Sequence, residues 1–187
     1  MDLTQIDLLI GRNSMDYWHS DPLLWEYYST RWGFPTYDDH ELCKMVILES
    51  FSTGLSWLLI LKKEENFDKA FDEFDLEKIS QYNDQKINEL MNDSGIVRHK
   101  GKIIATINNA KVMLDLQKEF GSFSNYIWSF TGHQVVQIKE PLISNELSDM
   151  ISKDLKKRGV KFFGTVTCYS YLQAIGIINS RNEKTSD

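Results

Sequence analysis

The sequence has few cysteines and no long apolar run, and each shortage excludes a class of protein. Only two cysteines, Cys43 and Cys168, occur in 187 residues, and their separation fits neither a metal-ligand spacing nor a disulfide framework. We therefore expect buried thiols in a reducing compartment. The apolar run at residues 58–61 is far too short to span a bilayer, and acids stand near the start of the chain where a signal peptide needs bases. These features predict a cytoplasmic protein without a membrane span.

Positive charge is also in short supply. The chain has 21 Lys and Arg against 27 Asp and Glu, a net charge of −6, which disfavours a non-specific polyanion binder because its field would repel phosphates. The basic residues nevertheless concentrate in two stretches centred on glycines, residues 98–102 and 156–161. These stretches are either two phosphate-binding points on an acidic protein or solvated helix ends, and composition leaves both interpretations open.

Two-residue alternation and internal repeats are likewise missing, whereas helix signals are frequent. Asp21 before Pro22 is a typical N-cap followed by a first-turn proline, and Gly159 stands where a C-terminal cap is expected. A hydrophobic content of 42% is ample for a core in a chain of this length. The sequence predicts an all-α fold of about eight helices in a single domain, residues 1–187, with a long loop at about 133–144 and a frayed tail after about 180.

One acid stands where the helical pattern calls for a core residue. Leu42, Met45, Val46 and Glu49 follow the spacing i, i+3, i+4 and i+7, so the Glu49 carboxylate shares an apolar face. Burying a carboxylate without a partner is costly, and such a group is either satisfied by donors or held ready for a ligand. With Trp57 opening the next apolar run, the pattern indicates a pocket; an exposed acid in a last helical turn is the alternative.

A second informative stretch lies at about residues 87–104. A short helix, a turn containing Gly95 and a longer helix make a helix-hairpin-helix arrangement, whose backbone amides can face a phosphate. Arg98, Lys100 and Lys102 add positive charge beside it. An ordinary helical hairpin needs the same glycine, so this interpretation also stays open. The basic turn at 156–161 offers a second anion site of the same kind.

Several multi-residue motifs follow one another along the chain: DPL at 21–23, RWGFP at 31–35, LES at 48–50, GLSWL at 54–58, ILKK at 60–63, GIVRHKGKI at 95–103, WSF at 128–130 and KFFGT at 161–165. In this order they resemble the bacterial DNA-3-methyladenine glycosylase I family. The resemblance covers about residues 15–180. It implies a helix-hairpin-helix DNA glycosylase, an enzyme that excises a damaged base flipped out of the duplex.

The resemblance also implies the reaction and its partners. The substrate is double-stranded alkylated DNA, from which 3-methyladenine is released by hydrolysis of the N-glycosidic bond in base excision repair. No cofactor is implied, and we expect a monomer. No lysine falls at a motif position suited to a Schiff base, so the enzyme is expected to be monofunctional. A catalytically weak DNA-lesion binding module of the same fold is the alternative.

Residue roles follow from the same resemblance. Glu49, the candidate catalytic residue, would hydrogen-bond the flipped cationic purine and favour it over neutral adenine, while Trp57 would stack on the ring with a cation–π contribution. Tyr27 and Tyr17 complete the expected base pocket, and Leu55 is a weaker candidate for the wedge that fills the gap in the base stack. The expected DNA-binding residues are Leu55, Gly95, Arg98, His99, Lys100, Gly101, Lys102, Lys161, Gly164 and Thr165.

The chain departs from the family pattern in two respects. Many members hold a structural zinc with two cysteines and two histidines, whereas the corresponding positions here are Met15, Tyr28, Arg181 and a residue near Thr185. This is no zinc ligand set, so we expect no metal and termini joined by packing of Tyr28 and Trp18. Leu24 replaces a tyrosine near the pocket, which leaves purine selectivity open. The water-activating aspartate of other glycosylases is absent from the family, and Asp115 is expected to be a solvated helix residue.

Overall fold

The computed structural model describes Arg12 and residues 14–181, and this part of the chain is almost wholly helical. Its elements are α1 (Met15–His19), α2 (Pro22–Thr30), α3 (Asp39–Ser52), α4 (Trp57–Leu61), α5 (Glu64–Ala70), a 3₁₀ turn (Asp72–Phe74), α6 (Leu76–Ser80), α7 (Asp84–Asn92), α8 (Lys100–Phe120), α9 (Phe123–Ser129), β1 (Val136–Gln137), α10 (Glu146–Arg158), α11 (Thr165–Ala174) and β2 (Ile178–Asn179). The all-α prediction is confirmed. The described residues hold more than the expected eight helices because five of them have only five to seven residues, too few to show a period.

Local chemistry sets several helix ends. The Asp21 carboxylate accepts a hydrogen bond of 2.9 Å from the Leu23 amide, and Pro22 occupies the first position of α2. An N-cap of this kind satisfies one of the free amides at a helix start. At the end of α10, Gly159 takes a φ of 108°, the left-handed conformation that glycine adopts most easily. Both ends therefore agree with the sequence prediction.

Helices α3 and α11 form the centre of the molecule. All of α3 from residue 45 to 52 is buried, and so is α11 from residue 168 to 174. Helix α3 packs against α8, α9 and α11, so both polar and apolar side chains on it are withdrawn from water. This position places Glu49 inside the protein.

Two short strands were not expected. β1 and β2 pair in parallel, with Val136 opposite Ile178, and the Val136 amide donates to the Ile177 carbonyl at 2.8 Å. β1 lies within the segment expected to be a loop, and a two-residue strand is too short to show alternation. The pairing holds the chain at residues 178–179 against the body of the protein.

The sequence also predicts a frayed tail after about residue 180 and no membrane span. Residues 182–187, which contain most of the expected frayed tail and the position near Thr185, lie outside the described residues. Arg181, which falls within the predicted tail, is instead hydrogen-bonded to the carbonyls of Tyr28 and Trp32. In the part of the chain that the structure describes, no helix is long and apolar enough to cross a bilayer.

Candidate functional site

Glu49 is buried and paired with an arginine. Its side chain is 1% exposed on the penultimate turn of α3, and Arg12 Nη1 donates to its two oxygens at 3.0 and 3.3 Å. The Ser52 hydroxyl, one turn further along the helix, donates to Glu49 Oε2 at 3.0 Å. Arg12 is itself only 5% exposed. The alternative of an exposed helix-end acid is therefore wrong, and the partner of the carboxylate is a residue that the sequence did not single out.

Two aromatic side chains stand beside this ion pair. Trp57 opens α4 after the N-cap Ser56 and is 2% exposed, and the Arg12 guanidinium carbon lies 4.9 Å from the centre of its ring system. The Tyr27 ring lies 5.5 Å from that of Trp57, inclined by 50°. The α2 and α4 helices thus bring Tyr27 and Trp57 to the carboxylate at the end of α3.

Trp57 also carries an unused hydrogen-bond donor. Its buried indole Nε1 has no hydrogen-bond partner among the described residues. Leaving a buried donor unpaired costs about 1–3 kcal/mol, a cost that a ligand acceptor would remove. The feature fits a pocket whose polar groups are completed by something that binds there.

The charges of the site shift the pKa values of its members. Burial raises the pKa of Glu49 above its usual value, and the Arg12 charge and the Ser52 hydroxyl oppose that rise. Burial raises the pKa of Tyr27, to which the Glu49 charge adds. The pKa of Tyr17 is also raised by burial, against the charge of Arg12 and a hydrogen bond with it. Arg12 therefore interacts with each of the four residues predicted to bind a base: Glu49, Trp57, Tyr27 and Tyr17.

A basic face surrounds the start of α8. Residues 98–101, which we call the hairpin face, are all exposed at the junction between the hairpin turn and the helix. His99 is the N-cap, since its Nδ1 accepts a hydrogen bond of 3.1 Å from the Lys102 amide. Its ring meets Phe162 edge-on, with the ring centres 5.8 Å apart. Arg98, His99, Lys100 and Gly101 are thus placed where a DNA backbone could reach them.

Lys102 corrects the sequence prediction. It is 6% exposed, and its ammonium donates to the carbonyls of Phe51 and Thr53 at 2.8 and 2.5 Å. Burial lowers its pKa. The prediction that Lys102 contacts DNA is wrong, because its charge points inward to the end of α3. It ties the hairpin helix to the helix that carries Glu49.

The role expected of Gly95 also needs correction. Its amide already donates to the Asp93 carboxylate at 2.7 Å, so it is not free for a phosphate. A Cβ at this position would lie 2.9 Å from that carboxylate oxygen and 3.1 Å from Asn66. Lys63 then bonds the turn from the other side, donating to the carbonyls of Ser94 and Gly95 at 3.0 Å. The glycine therefore serves close packing of the turn.

The second basic turn is only partly available. Lys161 and Gly164 are exposed, and the side chain of Asn109 holds Lys161 through both of its backbone groups, at 2.8 and 3.0 Å. At the start of α11, the hydroxyl of Thr165 donates to the carboxylate of Asp149, a residue of α10. The predicted contact between Thr165 and DNA is therefore contradicted at its hydroxyl, whose hydrogen bond the exposed carboxylate of Asp149 already accepts.

The candidate wedge lies between the two parts of the pocket. Leu55 is half-buried in the turn that joins α3 to α4, and its amide donates to the Ser52 carbonyl at 2.7 Å. Glu49 precedes this turn and Trp57 follows it, so Leu55 lies between these two pocket residues in the sequence. By contrast, Asp115 is exposed and paired with Lys118 at 3.6 Å, as expected of a solvated residue.

Packing and an arginine hold together the region of Tyr28 and Arg181, where the sequence predicts no metal. The rings of Trp18 and Tyr28 lie 5.1 Å apart, as predicted. Arg181 donates to the Tyr28 carbonyl at 2.7 Å and stacks on the Tyr28 ring at 4.3 Å. Residues 12 and 14–181 contain no group of three His, Cys, Asp or Glu side chains that could bind a metal. Met15, Tyr28 and Arg181 do not fit zinc, since one of them is already a cation. Leu24 is a core residue, 1% exposed.

Comparison with known proteins gives a consistent set of relatives. Residues 17–186 match the family model described as methyladenine glycosylase. DNA-3-methyladenine glycosylase 1 of Escherichia coli (strain K12) is 41% identical over 164 residues, which cover 85% of this chain and 88% of the relative. The DNA-3-methyladenine glycosylase of Haemophilus influenzae is 37% identical over 82% of this chain and 86% of its own.

Solved structures agree. 3-Methyladenine DNA glycosylase I from Staphylococcus aureus superposes with a TM-score of 0.85 at 36% identity, over 88% of this chain and 90% of that one. A tyrosine-to-phenylalanine variant of 3-methyladenine DNA glycosylase I, in complex with 3-methyladenine, superposes with a TM-score of 0.86 at 35% identity, over 89% and 92% of the two chains.

Proposed function

The chain belongs to the methyladenine glycosylase family, and we propose that it excises 3-methyladenine from alkylated double-stranded DNA. The base is flipped out of the duplex and enters the pocket of Glu49, Trp57, Tyr27 and Tyr17, where its N-glycosidic bond is hydrolysed. We propose further that the enzyme works as a single-domain monomer in the cytoplasm and leaves the DNA backbone intact.

The observation that carries this proposal is the cation already held in the pocket. The carboxylate of Glu49 and the face of Trp57 together bind the planar, delocalised guanidinium of Arg12. A 3-methyladenine nucleotide is also planar and carries a delocalised positive charge. A site that accommodates one such group has the charge and the flat aromatic wall needed for the other.

Cleavage of the N-glycosidic bond of 3-methyladenine needs little acid catalysis from the protein. The positive charge of 3-methyladenine already weakens the glycosidic bond, and on cleavage the bonding electron pair leaves with the base, which becomes neutral. A positive charge then develops on the deoxyribose, and water adds at its C1′ and loses a proton. The Glu49 carboxylate supports this sequence by binding the cationic base and by stabilising the charge that forms near it.

Backbone cleavage through a Schiff base has no support in the site. Lys102, in the first turn of α8, gives its ammonium to two backbone carbonyls. An amine that is held in this way is a poor nucleophile. A monofunctional hydrolysis therefore fits the residues better than a lyase reaction.

The DNA would lie across the hairpin face. Arg98, His99 and Lys100 are exposed there, and the amides at the start of α8 favour an anion. Lys161 lies nearby, because Asn109 of α8 holds its backbone. Such contacts fix the register of the duplex without reading its sequence, so the choice of base rests on the pocket, with Leu55 filling the gap in the stack.

The proposal is tested by release of 3-methyladenine from methylated DNA, followed by chromatography of the freed base. Wild type should release the base, and Glu49→Gln should lower the single-turnover rate by about 10- to 1,000-fold, because an amide cannot stabilise a cation as a carboxylate does. Glu41→Gln, a change on the same helix outside the pocket, is the matched control and should retain the wild-type rate.

Two results would count against the proposal. If wild type binds methylated DNA but frees no base, the chain is a lesion-binding module of the same fold. If Glu49→Gln remains folded and releases the base at the wild-type rate, the carboxylate plays no electrostatic part and shape alone selects the base.

A further inference from the structure

Arg12 fills the place that the proposed function gives to the damaged base. Its guanidinium donates hydrogen bonds to both oxygens of Glu49, at 3.0 and 3.3 Å, and lies 4.9 Å from the Trp57 ring centre. It also interacts electrostatically with Tyr17 and Tyr27. A flipped purine that stacks on Trp57 and bonds to Glu49 would need the same space, so the two occupants exclude each other.

We propose that the Arg12 side chain is an internal competitor of the base, occupying the pocket when no nucleotide is flipped and returning to displace the released product. This inference rests on the proposed function, since it takes the same pocket to be the base site. It assigns Arg12 a role in occupancy of the pocket, not in the chemistry.

The side chain can leave without unfolding its surroundings. The Trp18 indole donates to the Arg12 carbonyl at 2.9 Å, so the backbone is anchored independently of the guanidinium. Displacement of the guanidinium from the pocket therefore leaves this backbone anchor in place. An incoming cationic nucleotide replaces the lost charge beside Glu49, which avoids leaving a buried carboxylate unpaired.

The same exchange runs in reverse after the reaction. When the glycosidic bond breaks, the base departs with the bonding electrons and becomes neutral. Its ion-pair attraction to Glu49 and its cation–π attraction to Trp57 are therefore lost. Arg12 keeps its charge throughout, because arginine stays protonated in proteins, and it regains the pocket against a neutral competitor more easily than against a cationic one.

Competition has a thermodynamic signature that direct recognition lacks. If an occupant must leave before any ligand binds, the apparent dissociation constant of every ligand rises by the same factor. That factor is the inverse of the fraction of empty pockets. Removing it should therefore strengthen the binding of 3-methyladenine and of plain adenine equally. If Arg12 instead touched the bound base, its removal would change the ratio of the two affinities.

The experiment measures the affinity of free 3-methyladenine and free adenine by calorimetry, and inhibition of base release by added 3-methyladenine. Arg12→Ala should bind both bases about tenfold more tightly than wild type, as expected if about nine pockets in ten are filled by the arginine. The ratio of the two affinities should stay within about twofold, a deviation of only about 0.4 kcal/mol by the tenfold-per-1.4 kcal/mol relation. Product inhibition should become correspondingly stronger.

Arg31→Ala is the matched control. Arg31 also lies over the Tyr27 ring, at 5.0 Å, but pairs with Glu64 outside the pocket, so its loss should leave base affinity unchanged. Arg12→Gln serves where the alanine variant fails to fold, because it keeps a longer, polar side chain without the charge. It should also bind both bases more tightly.

Weaker binding by folded Arg12→Ala or Arg12→Gln would overturn the proposal and make Arg12 a positioning residue for Glu49. Unchanged binding would show that the pocket is open without displacement, and would overturn it as well. Because the calorimetric measurements use free bases, they are separate from the release of base by wild type, on which the proposed function stands or falls.

Discussion

Loss of Arg181 should destabilise the protein markedly, because this side chain joins the C-terminal part of the chain to the helix under the pocket. Its Nη1 donates to the carbonyls of Tyr28 and Trp32, at 2.7 and 2.5 Å, and its guanidinium stacks on Tyr28 and Phe34, at 4.3 and 4.5 Å. The contact is close enough that a Cβ on Gly33 would lie 2.9 Å from Arg181 Cδ.

The expected loss follows from these contacts. Hydrogen bonds from a charged donor contribute about 1.5–3 kcal/mol each when buried, and less here because Arg181 is half-buried. Each cation–π contact adds about 0.5–1 kcal/mol. Arg181→Ala should therefore lower the free energy of unfolding by about 2–4 kcal/mol, a fall in Tm of about 5–10 °C for a chain of this size.

Urea unfolding followed by tryptophan fluorescence measures this loss. Arg181→Lys, which keeps the charge but not the planar stack, should fall between wild type and alanine, and Lys153→Ala, an exposed change on α10, should have almost no effect. Added zinc should not alter the Tm of wild type. A change in Arg181→Ala below about 0.5 kcal/mol, the size of an ordinary surface substitution, would refute the reasoning.

Two further predictions concern charges that the interior holds. Lys102→Met should lower the free energy of unfolding in urea by about 2–3 kcal/mol, because two carbonyls at the end of α3 lose a charged donor; a neutral result would show that solvent replaces the ammonium. The rate of base release should fall towards acid pH as Glu49 takes up a proton, over a range above the usual 4.5 because burial raises its pKa. This acid limb, measured from single-turnover rates, should be absent from Glu49→Gln.

Local signals made much of the fold predictable. Helix α2 begins at Asp21 and Pro22, and α10 ends at Gly159. Both boundaries are set by groups close in sequence, so they could be predicted without knowledge of the tertiary structure. The short helices between residues 57 and 80 were harder, since five residues cover little more than one turn. The pairing of β1 with β2 depends on a contact between distant segments and leaves no trace in either.

In the site, too, features set by the local sequence were predictable, whereas contacts between distant segments were not. The position of Glu49 on an apolar helical face indicated its burial, but nothing near Arg12 in the sequence indicated that it would be the partner. Lys102 was misassigned because it stands among exposed basic residues. Thr106 and Asn109, four and seven residues further on, share its buried face of α8, but both are polar, so no apolar pattern indicated that this face is internal.

The inward position of Lys102 also fixes the position of the hairpin face relative to the pocket. The residue belongs to the first turn of α8, beside the hairpin face, and its ammonium binds the carbonyls of Phe51 and Thr53. Those carbonyls end the helix whose preceding turn carries Glu49. For the proposed reaction, this link means that the spacing between the hairpin face and the carboxylate is set before DNA binds, which is preorganisation. Under the same proposal, the flipped nucleotide rotates into the pocket as the Arg12 side chain leaves it.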